Sequence, residues 1–406
     1  MDLDKIASKW IYEEEELVHK EMDPVYRIIY RFIANKCILY GGYALHMLMP
    51  EKFKLYSPDE FPDYDCFTIN GLKVLKELAD ILYAKGYKYV HVRRSFHDHT
   101  YKLIVNFTPV LDCTDIPPNL YHRMMELSRR DYAKKKLDMT IAPLYFFRYS
   151  MHYEFGKPMS SAHRWSKLLD RNKKLKRVFP IHHKPMNLFQ ETNTTILKCC
   201  DQIIQYVKHH KLPISGSYAW IRWMNQDIKF TIHPDLGFMD ILSLNALETA
   251  KEIKRQLDKQ YPTIKFIIKY VKDPVNFMYK TKDFTPPMER SLLPSLYEMR
   301  VIINGEMRKL ASVYDTIHEC ISITHMNGMS IVTRDSLLRY FYANALVKPE
   351  YAELYANAAA VLESTVTDKK RFSKSCFGKE LRLLDIRKQS WDSKKGSVLF
   401  IPESKN

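Results

Sequence analysis

Apolar residues at helical spacing open the chain. Val25, Ile28, Ile29, Phe32 and Ile33 predict a helix over residues 1–35, with Glu13 to Glu16 as a solvated acidic face. The period then shortens. Ile38-Leu39-Tyr40 reads as a strand, Gly41-Gly42 follow, and the apolar run from Tyr43 to Met49 suits a helix start. Asp63-Tyr64-Asp65 leads directly into the strand-like Cys66-Phe67. Asn70 is a good N-cap for a helix with Leu72, Leu75, Leu78, Ala79 and Leu82 on one face, stopped at Gly86. Strands are expected at Lys88–Val92 and Tyr101–Phe107, with a polar turn over Arg93–Thr100 between them. Thr108-Pro109 is read as a break before a strand at Val110–Thr114. Residues 36–116 therefore predict an α/β unit, and 117–185 a mostly helical, basic extension. Residues 312–406 predict a helical region, with apolar helices at Tyr340–Leu346 and Tyr351–Leu362, a basic segment at Lys369 to Lys374 and a mobile last twenty residues.

A repeat runs through this pattern. Pro213-Ile214-Ser215-Gly216-Ser217-Tyr218-Ala219 resembles Leu39 to Ala44, and the 24 positions from Gly41 to Asp65 recur between Gly216 and Asp240. Leu242-Ser243-Leu244-Asn245 answers Phe67-Thr68-Ile69-Asn70, and Met299 to Asn304 resembles Lys102 to Asn106. Equal spacing at several points reads as an internal duplication. The expected organisation is an N-terminal helical segment (1–35), a first α/β domain with its basic extension (36–185), a second copy (186–311) and a helical C-terminal region (312–406).

The chemistry sits in the first copy. Two glycines opening a helix bring backbone N–H groups to a phosphate at the positive end of the helix dipole. Asp63 and Asp65, two apart on a strand, share a face and offer the hard oxygen ligands that suit Mg²⁺. Asp112, flanked by Leu111 and Cys113, is the preferred third carboxylate; Asp115 competes for that role but points to the other face. In the second copy Phe238 stands at the place of Asp63, and no aspartate matches Asp112, whose counterpart is read at Arg308-Lys309-Leu310. One carboxylate, Asp240, cannot hold two metals, so the second copy is read as a fold without a site.

Charge narrows the partner. The 406 residues carry a net charge of +16 with 46% apolar residues, which points to a polyanion, nucleic acid before membrane. Basic positions cluster at Arg129, Arg130, Lys134, Lys135 and Lys136 and again over Arg171 to Arg177; Arg129, Arg130, Lys134, Lys135, Arg164, Lys173 and Lys174 are the RNA-binding candidates. Tyr145, Phe146, Phe147, Tyr149, Tyr153 and Trp165 interleave with them. Cations for phosphate and aromatics for stacking suit single-stranded RNA or DNA, although an aromatic core under a solvated face is the equal alternative for any one residue. Seven cysteines without a Cys-x-x-Cys read as buried thiols in a reducing compartment, with no zinc site. No apolar run of 18 residues occurs and the first twenty residues lack a leader pattern, so a soluble protein is expected.

The Gly-Gly, Asp-x-Asp and third-Asp arrangement resembles the polymerase-beta-type nucleotidyltransferase superfamily. More closely, LYGGYALH, FPDYDCF, ELADILYAKGY, VLDCTDIPPNLYHRM and FFRYSMHYEFGKP with HRWSK resemble the poly(A) polymerase catalytic subunits of asfarviruses and giant viruses, distantly related to the poxvirus enzyme. The resemblance implies an α/β (α+β) fold of two tandem nucleotidyltransferase domains, the second degenerate, with helical additions. It implies template-independent transfer of AMP from ATP to mRNA 3′ ends, with two Mg²⁺ (or Mn²⁺) ions held by Asp63, Asp65 and Asp112, and with Gly41 and Gly42 facing the triphosphate. Implied partners are a single-stranded RNA 3′ end and a second copy or a viral processivity subunit, with no membrane. The implied location is a virus factory in host cytoplasm, or the virion. A CCA- or uridylyl-adding enzyme and a non-catalytic RNA-binding subunit are the alternatives.

Overall fold

The computed structural model describes residues 3–57, 60–61, 63–95, 99–156, 162–226, 229–271, 293–316, 321–365, 376–377 and 398–402. The first elements are α1 (Leu3–Ile33), β1 (Ile38–Tyr40), α2 (Gly41–Leu48), β2 (Tyr64–Thr68), α3 (Gly71–Ala84), β3 (Val90–Arg94), β4 (Thr100–Val105), β5 (Thr108–Asp115), α4 (Pro118–Asp131) and β6 (Thr140–Ile141). There follow α5 (Leu144–Phe155), α6 (Ala162–Val178), β7 (Phe189–Gln190), α7 (Thr194–His209), β8 (Ile214–Ser215), α8 (Gly216–Trp223), β9 (Phe230–Thr231), β10 (Met239–Ser243) and α9 (Ala246–Gln260). The chain closes with β11 (Lys265–Val271), β12 (Leu296–Ile303), β13 (Glu306–Asp315), β14 (Ile321–Met326), β15 (Met329–Val332), α10 (Arg334–Val347), α11 (Ala352–Thr365), β16 (Cys376–Phe377) and β17 (Val398–Phe400).

The chain divides into two compact units, residues 1–143 with 385–406 and residues 144–384. Residues 144–185, which the sequence groups with the first domain, fall in the second unit. In the first, the strand order is β17-β3-β4-β5-β2-β1-β6. Its core forms where the periodicity places it: Val25, Ile29 and Ile33 of α1 and Leu75, Leu78, Ala79 and Leu82 of α3 are buried. Asn70 caps α3 by accepting from the Lys73 N–H at 3.1 Å, a contact worth about 1 kcal/mol. Two local expectations change. The break after β4 lies at Asn106 and Phe107, both at positive φ; Pro109 is inside β5, beside a register shift that tolerates its missing donor. The expected mobile terminus includes β17, which pairs with β3.

The second unit holds a sheet ordered β11-β12-β13-β10-β8-β15-β14-β16. Its first six strands repeat β3-β4-β5-β2-β1-β6 position for position, and the senses match: β1–β2 and β8–β10 are antiparallel, β2–β5 and β10–β13 parallel. Asn245 caps α9 as Asn70 caps α3. The duplication read from spacing is therefore present in the fold. Strands β14 and β15 extend the sheet where only helices were expected; the apolar α10 and α11 then follow.

Candidate active site

One row of backbone pairing assembles the site. Tyr40 at the end of β1 pairs with Asp65, Asp65 pairs with Asp112 of β5, and Asp112 pairs with Lys102 of β4. Residues in register on neighbouring strands share a face at roughly 4.8 Å spacing, so the Asp65 and Asp112 carboxylates stand side by side. Asp63 is exposed just ahead of β2 and outside the strand, two positions before Asp65; among the described residues its carboxylate does not close to ligand distance with those of Asp65 and Asp112.

Gly41, the first residue of α2, has φ +76°, and a Cβ there would collide with Asp65 Oδ2 and sit 3.0 Å from its Cγ. A side chain at 41 is excluded twice, by the backbone and by the carboxylate over it. Tyr40 is the N-cap of α2 and makes no side-chain cap bond, so no cap occupies the N–H groups of the Gly41-Gly42 turn, which can take anionic oxygens. Gly41→Ala and Gly216→Ala, its counterpart below, should each cost at least about 1–2 kcal/mol from the left-handed backbone alone; thermal denaturation of both variants reads this.

Lys102 was not singled out in the sequence. Its ammonium lies 2.6 Å from Asp112 Oδ1, both side chains being largely shielded. The signal is present: in Tyr101–Val105 a lysine interrupts an otherwise apolar run. The Tyr40 hydroxyl meets Thr114 Oγ1 at 3.0 Å, which in turn meets Thr100 at 2.9 Å. Burial and then the Asp65 charge push the Tyr40 phenol well above its ordinary range, so it stays protonated.

Asp112, and not Asp115, faces Asp65. Asp115 lies on the other side, buried, and accepts from the Gly71 N–H at the start of α3. Burial raises its pKa to about 6, against the lowering effect of that bond. Because the folded form holds its proton more tightly than the unfolded chain, Asp115 adds stability at low pH that is lost as pH rises from about 4 through 6. Asp115→Asn, which keeps an acceptor and removes the charge, should therefore be more stable than the parent by about 2–3 kcal/mol above pH 7, the gap closing below pH 4. Paired denaturant titrations across that range test it.

The second unit carries the same scaffold with a single carboxylate in the corresponding row. Gly216 has φ +66°, and a Cβ there would clash with Asp240. Asp240 pairs with Ser215 and with Ser312. Ser312, fully buried, thus occupies the place of Asp112, two residues beyond the expected Arg308-Lys309-Leu310. The cause is a β12–β13 hairpin whose arms are two residues longer than those of β4–β5. Phe238 does lie two before Asp240, and the Tyr340 hydroxyl donates to Asp240 Oδ2 at 2.6 Å.

The basic candidates separate. Arg129, Arg130, Lys134, Lys135 and Lys136 are exposed on the first unit; Arg130 pairs with Asp131 at 3.1 Å, and Lys135 donates to the Leu48 carbonyl at 3.2 Å. Arg164, Lys173, Lys174 and Lys176 lie on α6 of the second unit. Lys173 is exposed, Lys174 pairs with Asp170 at 2.9 Å, and Lys176 reaches Glu363 at 2.5 Å; the Arg164 side chain is outside the described residues. Phe146, Phe147 and Tyr149 are buried. They are core side chains rather than stacking platforms; α5 packs chiefly on α10, where Tyr145 meets Tyr342 and Arg339 lies over Tyr153.

Residues 27–161 match the family model described as the poly(A) polymerase catalytic subunit. A putative poly(A) polymerase catalytic subunit of African swine fever virus is 31% identical over 45% of this chain and 39% of its own length. The counterpart in Acanthamoeba polyphaga mimivirus is 23% identical over 90% of this chain and 69% of its own. The chain spans about two fifths of the length of the first of these relatives. Among solved structures, the Megavirus polyadenylate synthase superposes with a TM-score of 0.71 at 19% identity, covering 96% of this chain and 82% of that one. No helix among the described residues is long and apolar enough to cross a membrane. The fold is thus like that of the Megavirus polyadenylate synthase over nearly the whole chain, and the resemblance to poly(A) polymerase catalytic subunits of large DNA viruses is borne out in sequence over residues 27–161.

Proposed function

We propose that this chain is a polynucleotide adenylyltransferase that extends RNA 3′ ends with AMP from ATP, without a template, in its first unit. The register pairing of Asp65 with Asp112 beside Gly41 carries the reading. Asp65 and Asp112 are hard oxygen donors side by side, Asp63 stands two positions ahead of Asp65, and the glycine keeps the space over Asp65 open; that donor chemistry fits Mg²⁺ or Mn²⁺. Two such ions, when bound, would neutralise phosphate charge and lower the pKa of the attacking hydroxyl.

The chain's own groups account for the rest. The uncapped N-terminus of α2 receives the triphosphate oxygens through the N–H groups of Gly41 and Gly42. Lys102 holds Asp112 in place and supplies countercharge until the site is loaded. The RNA 3′-hydroxyl attacks the α-phosphorus and gives up its proton to solvent, the new P–O bond forms, and the bond to the bridging oxygen breaks, releasing pyrophosphate. Arg129, Arg130, Lys134 and Lys135 on the first unit, and Lys173 on the second, engage RNA phosphates.

The preference for ATP rests on the family resemblance, and a CCA- or uridylyl-adding specificity is the competing outcome. Incubation of the full chain with single-stranded RNA, Mg²⁺ and each nucleoside triphosphate in turn decides between them. Long extension with ATP alone is expected; extension with UTP, or a three-nucleotide addition from CTP and ATP, would displace the reading.

A further inference from the structure

Behind the carboxylate row, on the opposite face of the same three segments, lie three cysteines. Cys66 follows Asp65 on β2, Cys113 follows Asp112 on β5, and the two are register partners. Cys37 precedes β1 by one residue. Their sulfurs all lie within 4.8 Å of one another, with Cys66 Sγ 3.3 Å from Cys113 Sγ. Cys66 and Cys113 are fully buried and Cys37 is 4% exposed. They lie 29 and 47 residues apart in sequence, which is why spacing alone argued against a metal site.

We infer that Cys37, Cys66 and Cys113 form a site for one thiophilic divalent cation, of which Zn²⁺ is the physiological representative. Thiolate sulfur selects soft and borderline ions over Mg²⁺. A Zn–S bond of about 2.3 Å sets tetrahedral S···S edges near 3.8 Å, between the closest separation seen here and the limit that contains all three. Cys199 and Cys200 are also buried, but successive helix residues diverge by about 100° and no third ligand joins them among the described residues. A divalent ion here would tie together the segment before β1, β2 and β5, the three pieces that place Gly41, Asp65 and Asp112. It would fix the register of the carboxylates without touching substrate.

The test uses the full chain purified under reducing conditions. About one Zn²⁺ per chain is expected by metal analysis. After removal with a chelator, Co²⁺ should produce a thiolate-to-cobalt charge-transfer absorption that saturates at about one equivalent, with an intensity that reports about three thiolates. Re-addition of Zn²⁺ should raise Tm by about 3 °C or more. Cys113→Ser should lose the absorption. Cys199→Ser and Asp65→Asn should retain it, the latter separating this site from the carboxylates and from the proposed activity. Should Cys113→Ser fail to fold, the intensity and stoichiometry of the parent chain decide alone. Absence of metal uptake by the reduced parent, an absorption that survives in folded Cys113→Ser, or a Cys66–Cys113 disulfide recovered in place of bound metal would each overturn the inference.

Discussion

Asp65→Asn is expected to lower AMP incorporation by about 10³-fold or more while leaving the fold and RNA retention unchanged. The magnitude follows from what the carboxylate supports. Stabilising charge on a transferring phosphoryl group is worth several kcal/mol, and each 1.36 kcal/mol is tenfold in rate. Asp65 is the centre of the row, pairing with Tyr40 on one side and Asp112 on the other, so its loss removes a shared ligand. Asparagine keeps the shape and still packs over Gly41, so Tm should move little. RNA binding should persist because the proposed function assigns it to exposed cations such as Arg129 and Lys134 rather than to the carboxylates. Asp63→Ala should lose activity to a similar extent with even less structural cost, since Asp63 is exposed. Single-turnover extension assays and a filter-binding measurement on the same preparations separate the two effects. Normal extension by either variant would be incompatible with the site.

Glu363→Gln should destabilise the second unit by about 3–5 kcal/mol at neutral pH. The side chain of Glu363 is 2% exposed and sits at the centre of a charged network. It meets Lys176 at 2.5 Å and His152 Nε2 at 3.2 Å, and accepts from the Tyr342 hydroxyl at 2.7 Å. His152 Nδ1 meets the fully buried Asp335 at 2.8 Å. Four helices, α5, α6, α10 and α11, are thereby tied through side chains that are buried except for that of Lys176, which is 35% exposed. Burial alone would raise the Glu363 pKa, but the His152 bond and the charges of His152, Lys176 and Arg148 outweigh it and hold the carboxyl well below its ordinary range. Removing the charge strands its partners, which is why the expected cost exceeds that of a surface pair. The sign of the pH dependence follows. A depressed carboxyl pKa gives stability that is fully present above the unfolded value near 4.3 and is lost as pH falls through the folded value. The gap between parent and Glu363→Gln should therefore narrow below about pH 4. Urea titrations at pH 7 and pH 3.5 would check both the size and the direction.

Much of the site was legible because its parts are local. Gly41-Gly42, Asp63-Tyr64-Asp65 and the alternation around Asp112 each declare a face and a turn within a few residues. The 24-position spacing from glycine to aspartate, shared by Gly41–Asp65 and Gly216–Asp240, declares the second copy without reference to strand order. Pairing across strands is not local, and it decided what the sequence could not. Lys102 and Asp112 are ten residues apart along a hairpin, and only the register shift at Leu103/Ile104 sets them opposite each other. The longer β12–β13 arms displaced the expected counterpart of Asp112 to Ser312. The two-residue β6 and the C-terminal β17 are too short to show a period. The aromatics of α5 looked alike in sequence whether they stack on bases or on α10, since an aromatic side chain suits both. The network around Glu363 joins residues up to 211 apart, each unremarkable in its own stretch.

The central claim is that the first unit holds the metal and the second has lost the means to do so. Mn²⁺ binding measured by electron paramagnetic resonance, in the presence of a non-hydrolysable ATP analogue, tests it on three chains. The parent and Asp240→Asn should bind Mn²⁺ alike, and Asp65→Asn should lose that binding. Loss of Mn²⁺ in Asp240→Asn with retention in Asp65→Asn would contradict the assignment.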